Sequence, residues 1–159
     1  MDSSFVIVCA DKTLRNDVAK ILAKKNQMLN ADIQDVIDYE ILNHHDITLS
    51  EANEFLGNLE KKAIVKTLGY KNTVLSISCD TFVANDNFEL FKNRVKVYVR
   101  LPKRYIISKL NKNNKDKIEQ QLLMYNEIDA LISCNCDITM DKELKTAQEL
   151  VDEILGKSK

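Results

Sequence analysis

Apolar residues in this chain come in two arrangements: short unbroken runs, and stretches with an apolar residue at every third or fourth position. The first reads as buried strand and the second as amphipathic helix. FVIV at 5–8 and TVLSI at 73–77 are strand candidates, and VKVYVRL at 95–101 alternates as a third. Val18, Ile21 and Leu22 predict a helix over 17–25, and Ile33, Val36, Ile37, Ile41 and Leu42 predict one over 33–42. A longer helix is expected over 50–68, with Thr48 or Ser50 as N-cap and Gly69 as the residue that ends it. A short helix over 87–92 follows. Pro102 opens another that runs to about 110, because proline suits a first helical turn. NKNNKDK at 111–117 reads as a polar loop. The rest reads as a helix over 118–128, a short strand over 130–134 and a closing helix over 142–155.

Strands separated by helices imply right-handed crossovers and a parallel sheet covered on both faces. The expected fold class is therefore α/β, a three-layer α/β/α arrangement. Ligands in such sheets sit beyond the carboxyl ends of the strands. Those ends are 9–14, 78–82 and 101 onward.

Composition narrows the function classes. The 159 residues suggest one domain over 1–159, with 45% hydrophobic and 30% charged residues. A net charge of −1 gives no field toward nucleic acid or anionic lipid, so neither partner is expected. No apolar run approaches a membrane span, and MDSSFVIVCA lacks the features of a signal peptide, so the cytoplasm is expected. Cys9 and Cys79 end strand-like runs and read as buried thiols. Cys134 and Cys136 form a lone C-x-C, and His44 and His45 are adjacent. No metal site is expected from them, because zinc needs four ligands in paired spacing.

The opening strand–connection–helix has the frame of a phosphate loop. A working loop, GxxxxGK followed by Ser or Thr, uses glycines to turn backbone N–H groups toward phosphate. Here Cys9 falls at the first glycine, Leu14 at the second, Arg15 at the lysine and Asn16 at the hydroxyl residue. Lys12, Thr13, Arg15 and Asn16 are the candidate nucleotide-binding residues. Arg15 also reads as a solvated residue at a helix start, and Asp32 as the N-cap of the 33–42 helix.

From the first strand to the last helix, the chain resembles shikimate kinase. TLSEANEFLGNLEKKAIVKTL is similar to that family's substrate-side helix, with its GE-x-x-FR-x-x-E pattern. NTVLSISCDTFVANDNFELFKNRVKVYVRL is similar to its strand, triple-glycine turn, short helix and strand. QLLMYNEID is similar to its R-x-P-L-Y stretch, and KELKTAQELVDEIL to its closing helix. The resemblance implies a phosphate-loop kinase fold with a central sheet of about five strands. It also implies what the family's functional positions hold here. The D-x-D pair aligns with Asn30 and Asp32, the first on the magnesium side and the second at the substrate hydroxyls. The carboxylate-gripping arginine aligns with Gly57 or Leu56. The triple glycine aligns with Ser78, Cys79 and Asp80, and the arginine of R-x-P-L-Y with Gln121, so the resemblance makes Asp32 and Asp80 the candidate substrate-binding residues. The lid corresponds to a shortened 111–117.

Phosphoryl transfer is positioning plus charge stabilisation, so concerted loss of these groups should abolish it. The expected function is a shikimate-kinase-like protein without phosphoryl transfer, acting as a binding or assembly module with a protein partner. No catalytic residues and no cofactor are expected on this reading. One alternative is a diverged small-molecule kinase with a rebuilt site using ATP and Mg. Another is an unrelated receiver-like module built around Asp11, Thr81 and Lys103, which a sheet order would separate from the first two.

Overall fold

The computed structural model describes residues 4–42, 52–105 and 115–157. The strands are β1 (Phe5–Val8), β2 (Leu29–Asp32), β3 (Thr73–Ile77), β4 (Val95–Arg100) and β5 (Ile138–Asp141). The helices are α1 (Lys12–Lys25), α2 (Ile33–Leu42), α3 (Ala52–Leu68), α4 (Cys79–Val83), α5 (Lys115–Cys134) and α6 (Ala147–Lys157), and a 3₁₀ segment spans Ala84–Phe91.

The sheet order is β2-β3-β1-β4-β5, and every pairing is parallel. β1 therefore sits at the centre, between β3 and β4. A receiver-like sheet has the order 2-1-3-4-5, which places the first strand between the second and third. The receiver-like alternative is thereby excluded.

Both faces of β1 are buried, which explains its unbroken apolar run. Phe5 and Ile7 point to one layer, where Val18 and Leu22 of α1 meet Leu150 and Ile154 of α6. Val6 and Val8 point to the other, with Ile33, Ile37, Ile64, Phe82, Phe91 and Ile132. Ile7 is fully buried in the first layer. Ile7→Ala is expected to lower unfolding free energy by about 2–5 kcal/mol, read from the urea midpoint.

Several boundaries differ from the sequence expectation. α1 begins at Lys12 rather than at 17 because Asp11 caps it. The Asp11 carboxylate accepts from Thr13 N at 3.0 Å, and its carbonyl accepts from Arg15 N at 3.0 Å. The weakly patterned LNAD forms β2, held by β3 alone at the sheet edge. The expected 87–92 helix is instead α4 followed by the 3₁₀ segment, broken where Asn85 and Asp86 adopt positive φ. α3 does end at Leu68 with Gly69 directly after it, as expected, although Gly69 has no positive φ. The 130–134 strand is overturned. Those residues complete α5, because Ile128 and Ile132 lie one turn apart against the second core layer. The true last strand is β5, and the helix expected from 142 begins at Ala147.

Pro102 does start a helical turn, with Tyr105 N bonded to its carbonyl at 2.9 Å; the expected continuation past 105 lies outside the described residues. Of the 111–117 loop, 115–117 are the first turn of α5, and 111–114 lie outside the described residues. The expected caps Thr48 and Ser50, and His44 and His45, also lie outside them. Among the described residues, no helix is long and apolar enough to cross a membrane.

Candidate functional site

The carboxyl ends of β1, β2, β3 and β4 converge on one edge of the sheet, and two clusters stand there. The first is built around Arg15. Its backbone belongs to the first turn and a half of α1, so its side chain lies back along the sheet edge, and it is 3% exposed. Arg15 Nε donates to Asp32 Oδ2 at 2.8 Å and Nη2 to Oδ1 at 3.4 Å, while Nη1 donates to the Cys9 carbonyl at 3.3 Å. Asp32 ends β2 and is 4% exposed. It also accepts from Ser76 Oγ at 2.6 Å and from Gln34 N at 3.1 Å, and the latter bond caps α2. Asn16 Oδ1 lies 3.3 Å from the same Ser76 hydroxyl. The only proton of that hydroxyl goes to the carboxylate, the nearer and charged acceptor.

Arg15 is therefore not a solvated helix-start residue. A guanidinium is tolerated at this depth because a bidentate carboxylate and a carbonyl satisfy it. Lys12 stands apart, donating to Asp35 at 2.7 Å on the surface; that hydrogen bond raises its pKa. Thr13 is exposed, with its N–H bonded to Asp11. The structure thus joins Arg15, Asn16 and Asp32, and leaves Lys12, Thr13 and Asp80 outside that cluster.

The second cluster surrounds a cavity of about 460 Å³ between the ends of β1, β3 and β4 and the inner face of α5. Tyr98, Val99 and Leu101 contribute from the β4 side, Asp80 from α4, and Met124, Ile128 and Ile132 from α5. Asp80 stands here because β3 passes straight into α4. Ser78 caps that helix, accepting from Thr81 N at 3.2 Å. On one wall, Asp129 accepts from Tyr98 Oη at 2.7 Å and from Arg100 Nε and Nη2 at 2.8 and 3.0 Å. Burial and the bond to Asp129 both raise the Tyr98 pKa, so its hydroxyl stays protonated. Sequence reasoning missed Ser76, Tyr98, Arg100 and Asp129. One signal was present: Lys96, Tyr98 and Arg100 alternate onto a single face of β4.

Two thiols border these clusters. Burial pushes the Cys9 thiol up to about 11 and raises Cys79 further; Cys136, farther along, is pushed up to about 12. Thiols held protonated in this way are poor nucleophiles. The unfolded chain releases these protons near pH 9, the folded chain only above it. Below that pH the two states bind the same thiol protons. Above it the unfolded state binds fewer, so stability falls as pH rises. The urea midpoint is expected to drop between about pH 8 and about pH 10.5, and by less in Cys9→Ala measured against its own pH 8 value. Among the described residues, no group of three or more His, Cys, Asp and Glu is placed to hold a metal ion.

The whole chain superimposes on solved kinases. The shikimate kinase of Aquifex aeolicus matches at TM-score 0.74 and 17% identity, over 96% of this chain and 94% of that one. This is the shikimate kinase fold. The Acinetobacter baumannii shikimate kinase in complex with shikimate matches at TM-score 0.75 and 14% identity, over 98% and 92%. An uncharacterized protein from Eubacterium ventriosum matches more loosely, at TM-score 0.53 and 13% identity, over 99% and 98%. No family model and no curated protein sequence matches the chain. At such identities the shikimate kinase fold is what is shared, and chemistry has to be argued from this chain's own side chains.

Proposed function

We propose that this chain is a shikimate-kinase-like protein that no longer transfers phosphate and serves as a non-catalytic binding module. One observation carries the reading. Arg15, at the position of the phosphate-loop lysine, is buried against Asp32 and bonded through all three guanidinium nitrogens. A cation neutralised in this way is not free to grip a β- or γ-phosphate. Two further features support it. The first turn of α1 replaces an open loop, and the Asp11 carboxylate caps the helix terminus where a phosphate would be received. Asn16 stands where a hydroxyl would meet magnesium, with its Oδ1 3.3 Å from the Ser76 hydroxyl. This donor set does not fit a magnesium-bound triphosphate, so no cofactor belongs to the proposal.

The diverged-kinase reading has one observation in its favour. The cavity beside Asp80 and Gln121 keeps the place that the family resemblance gives to substrate. Calorimetric titration with Mg-ATP, alone and with shikimate, separates the two readings. No binding tighter than about 1 mM, which corresponds to about 4 kcal/mol, is expected. Turnover of ATP above a protein-free blank, with or without shikimate, sinks the proposal and revives the kinase. On this reading its compartment is the cytoplasm and its partner a protein.

A further inference from the structure

The cavity at the sheet edge carries a charge pattern opposite to that of a carboxylate-binding site. Its walls are apolar, with Val99, Leu101, Met124, Ile128 and Ile132 among them, and among the described residues no lysine or arginine lines it. The volume of about 460 Å³ lies in the usual range for small-ligand sites. It has two carboxylates. Asp129 is matched by the bidentate guanidinium of Arg100 and by the Tyr98 hydroxyl, so its charge is compensated. Asp80 makes no side-chain hydrogen bond or ion pair among the described residues, and it lines the same space. The cavity therefore presents a hydrocarbon lining and one uncompensated negative charge. A carboxylate ligand entering it would meet repulsion and, among the described residues, no cation; an ammonium would meet the exposed, unpaired carboxylate of Asp80 at the edge of an apolar wall.

We infer that this cavity takes a small apolar amine, with its hydrocarbon body against Ile128, Ile132 and Met124 and its ammonium at Asp80. The inference rests on the reading that the site has left phosphoryl transfer, and it gives that site a ligand class. Gln121, on α5 at the same cavity, supplies an amide that accepts one ammonium proton through its carbonyl.

Methyl-detected NMR of the full chain tests this with two probes of matched size and opposite charge, 2-phenylethylamine and 3-phenylpropionate. The amine is expected to shift the methyl signals of Met124, Ile128 and Ile132, and to bind at least about tenfold more tightly than the carboxylate. Asp80→Asn is expected to shrink that preference to about threefold or less. Its thermal midpoint should stay unchanged, because Asp80 has no side-chain partner to lose. Equal affinity for the two probes, preference for the carboxylate, shifts confined to other methyls, or no shifts with either probe each overturn the assignment. A preference that survives Asp80→Asn intact overturns the role of that carboxylate. The Mg-ATP turnover assay fails or succeeds separately: turnover defeats the proposed loss of catalysis, whereas absence of an amine preference defeats the ligand class alone.

Discussion

Asp32→Ala is expected to cost about 3–5 kcal/mol of unfolding free energy, among the larger losses available from one substitution in this chain. The reason is what it leaves behind. Arg15 is 3% exposed, and removing its partner strands a guanidinium that has only the Cys9 carbonyl at 3.3 Å. The Gln34 amide loses its acceptor at the same time, and the Ser76 hydroxyl is left with Asn16 Oδ1 at 3.3 Å. A second variant separates the worth of the pair from the penalty of breaking it. Arg15→Met combined with Asp32→Leu removes both charges and keeps apolar volume, so it should recover most of the loss and end near wild type or above it. Urea midpoints of the wild type, Arg15→Met, Asp32→Leu and the double variant complete the cycle. A loss below about 1 kcal/mol in Asp32→Ala would show that Arg15 reaches water by another route.

The same pair bears on function. An ion pair that closes on itself is stable with no ligand present, whereas a phosphate-binding cation has to be held ready and unmatched. Arg15→Lys alone would not create a phosphate site, because the Asp11 cap and the helical first turn stay in place. A phosphate site here would need an open loop as well as a free cation.

Much of this was legible in the chain. The buried runs at Phe5–Val8 and Thr73–Ile77 are strands because both faces of an inner parallel strand are covered, which removes alternation and leaves an unmistakable apolar block. α2 was legible for the complementary reason: a one-sided stripe at intervals of three and four. β2 was not. As an edge strand it has one hydrogen-bonded neighbour, and Leu29 and Asn30 are exposed, so LNAD carries no pattern; the strand exists because β3 offers it a partner. The segment 130–134 failed in the other direction. A short apolar run fits strand and buried helix equally, and the deciding contact, Ile132 against the core, is tertiary. The site divides in the same way. The lack of phosphate-loop glycines and an arginine at the place of the loop's lysine were readable position by position. That Arg15 turns inward to Asp32 was not, because the two residues are far apart in sequence and charge at a helix start ordinarily means solvent.

Asp129→Ala is the second large expected effect, at about 2–3 kcal/mol. Asp129 ties α5 to β4 through three hydrogen bonds, one from a tyrosine hydroxyl and two from a guanidinium. The loss should be smaller than at Asp32, because Arg100 is about one-third exposed and keeps Asp141 at 3.4 Å, so water and a second carboxylate take up part of its charge. Tyr98 fares worse: it is buried, and its hydroxyl is left facing an apolar cavity. Tyr98→Phe in the Asp129→Ala background should therefore cost less than in the wild type, because the donor it removes is already stranded. Urea midpoints for the four proteins give the coupling, and a coupling near zero would mean that Tyr98 finds water in the cavity once Asp129 is gone. Such a result would also bear on ligand binding, since a hydrated wall loses part of the apolar advantage on which an amine's hydrocarbon body depends.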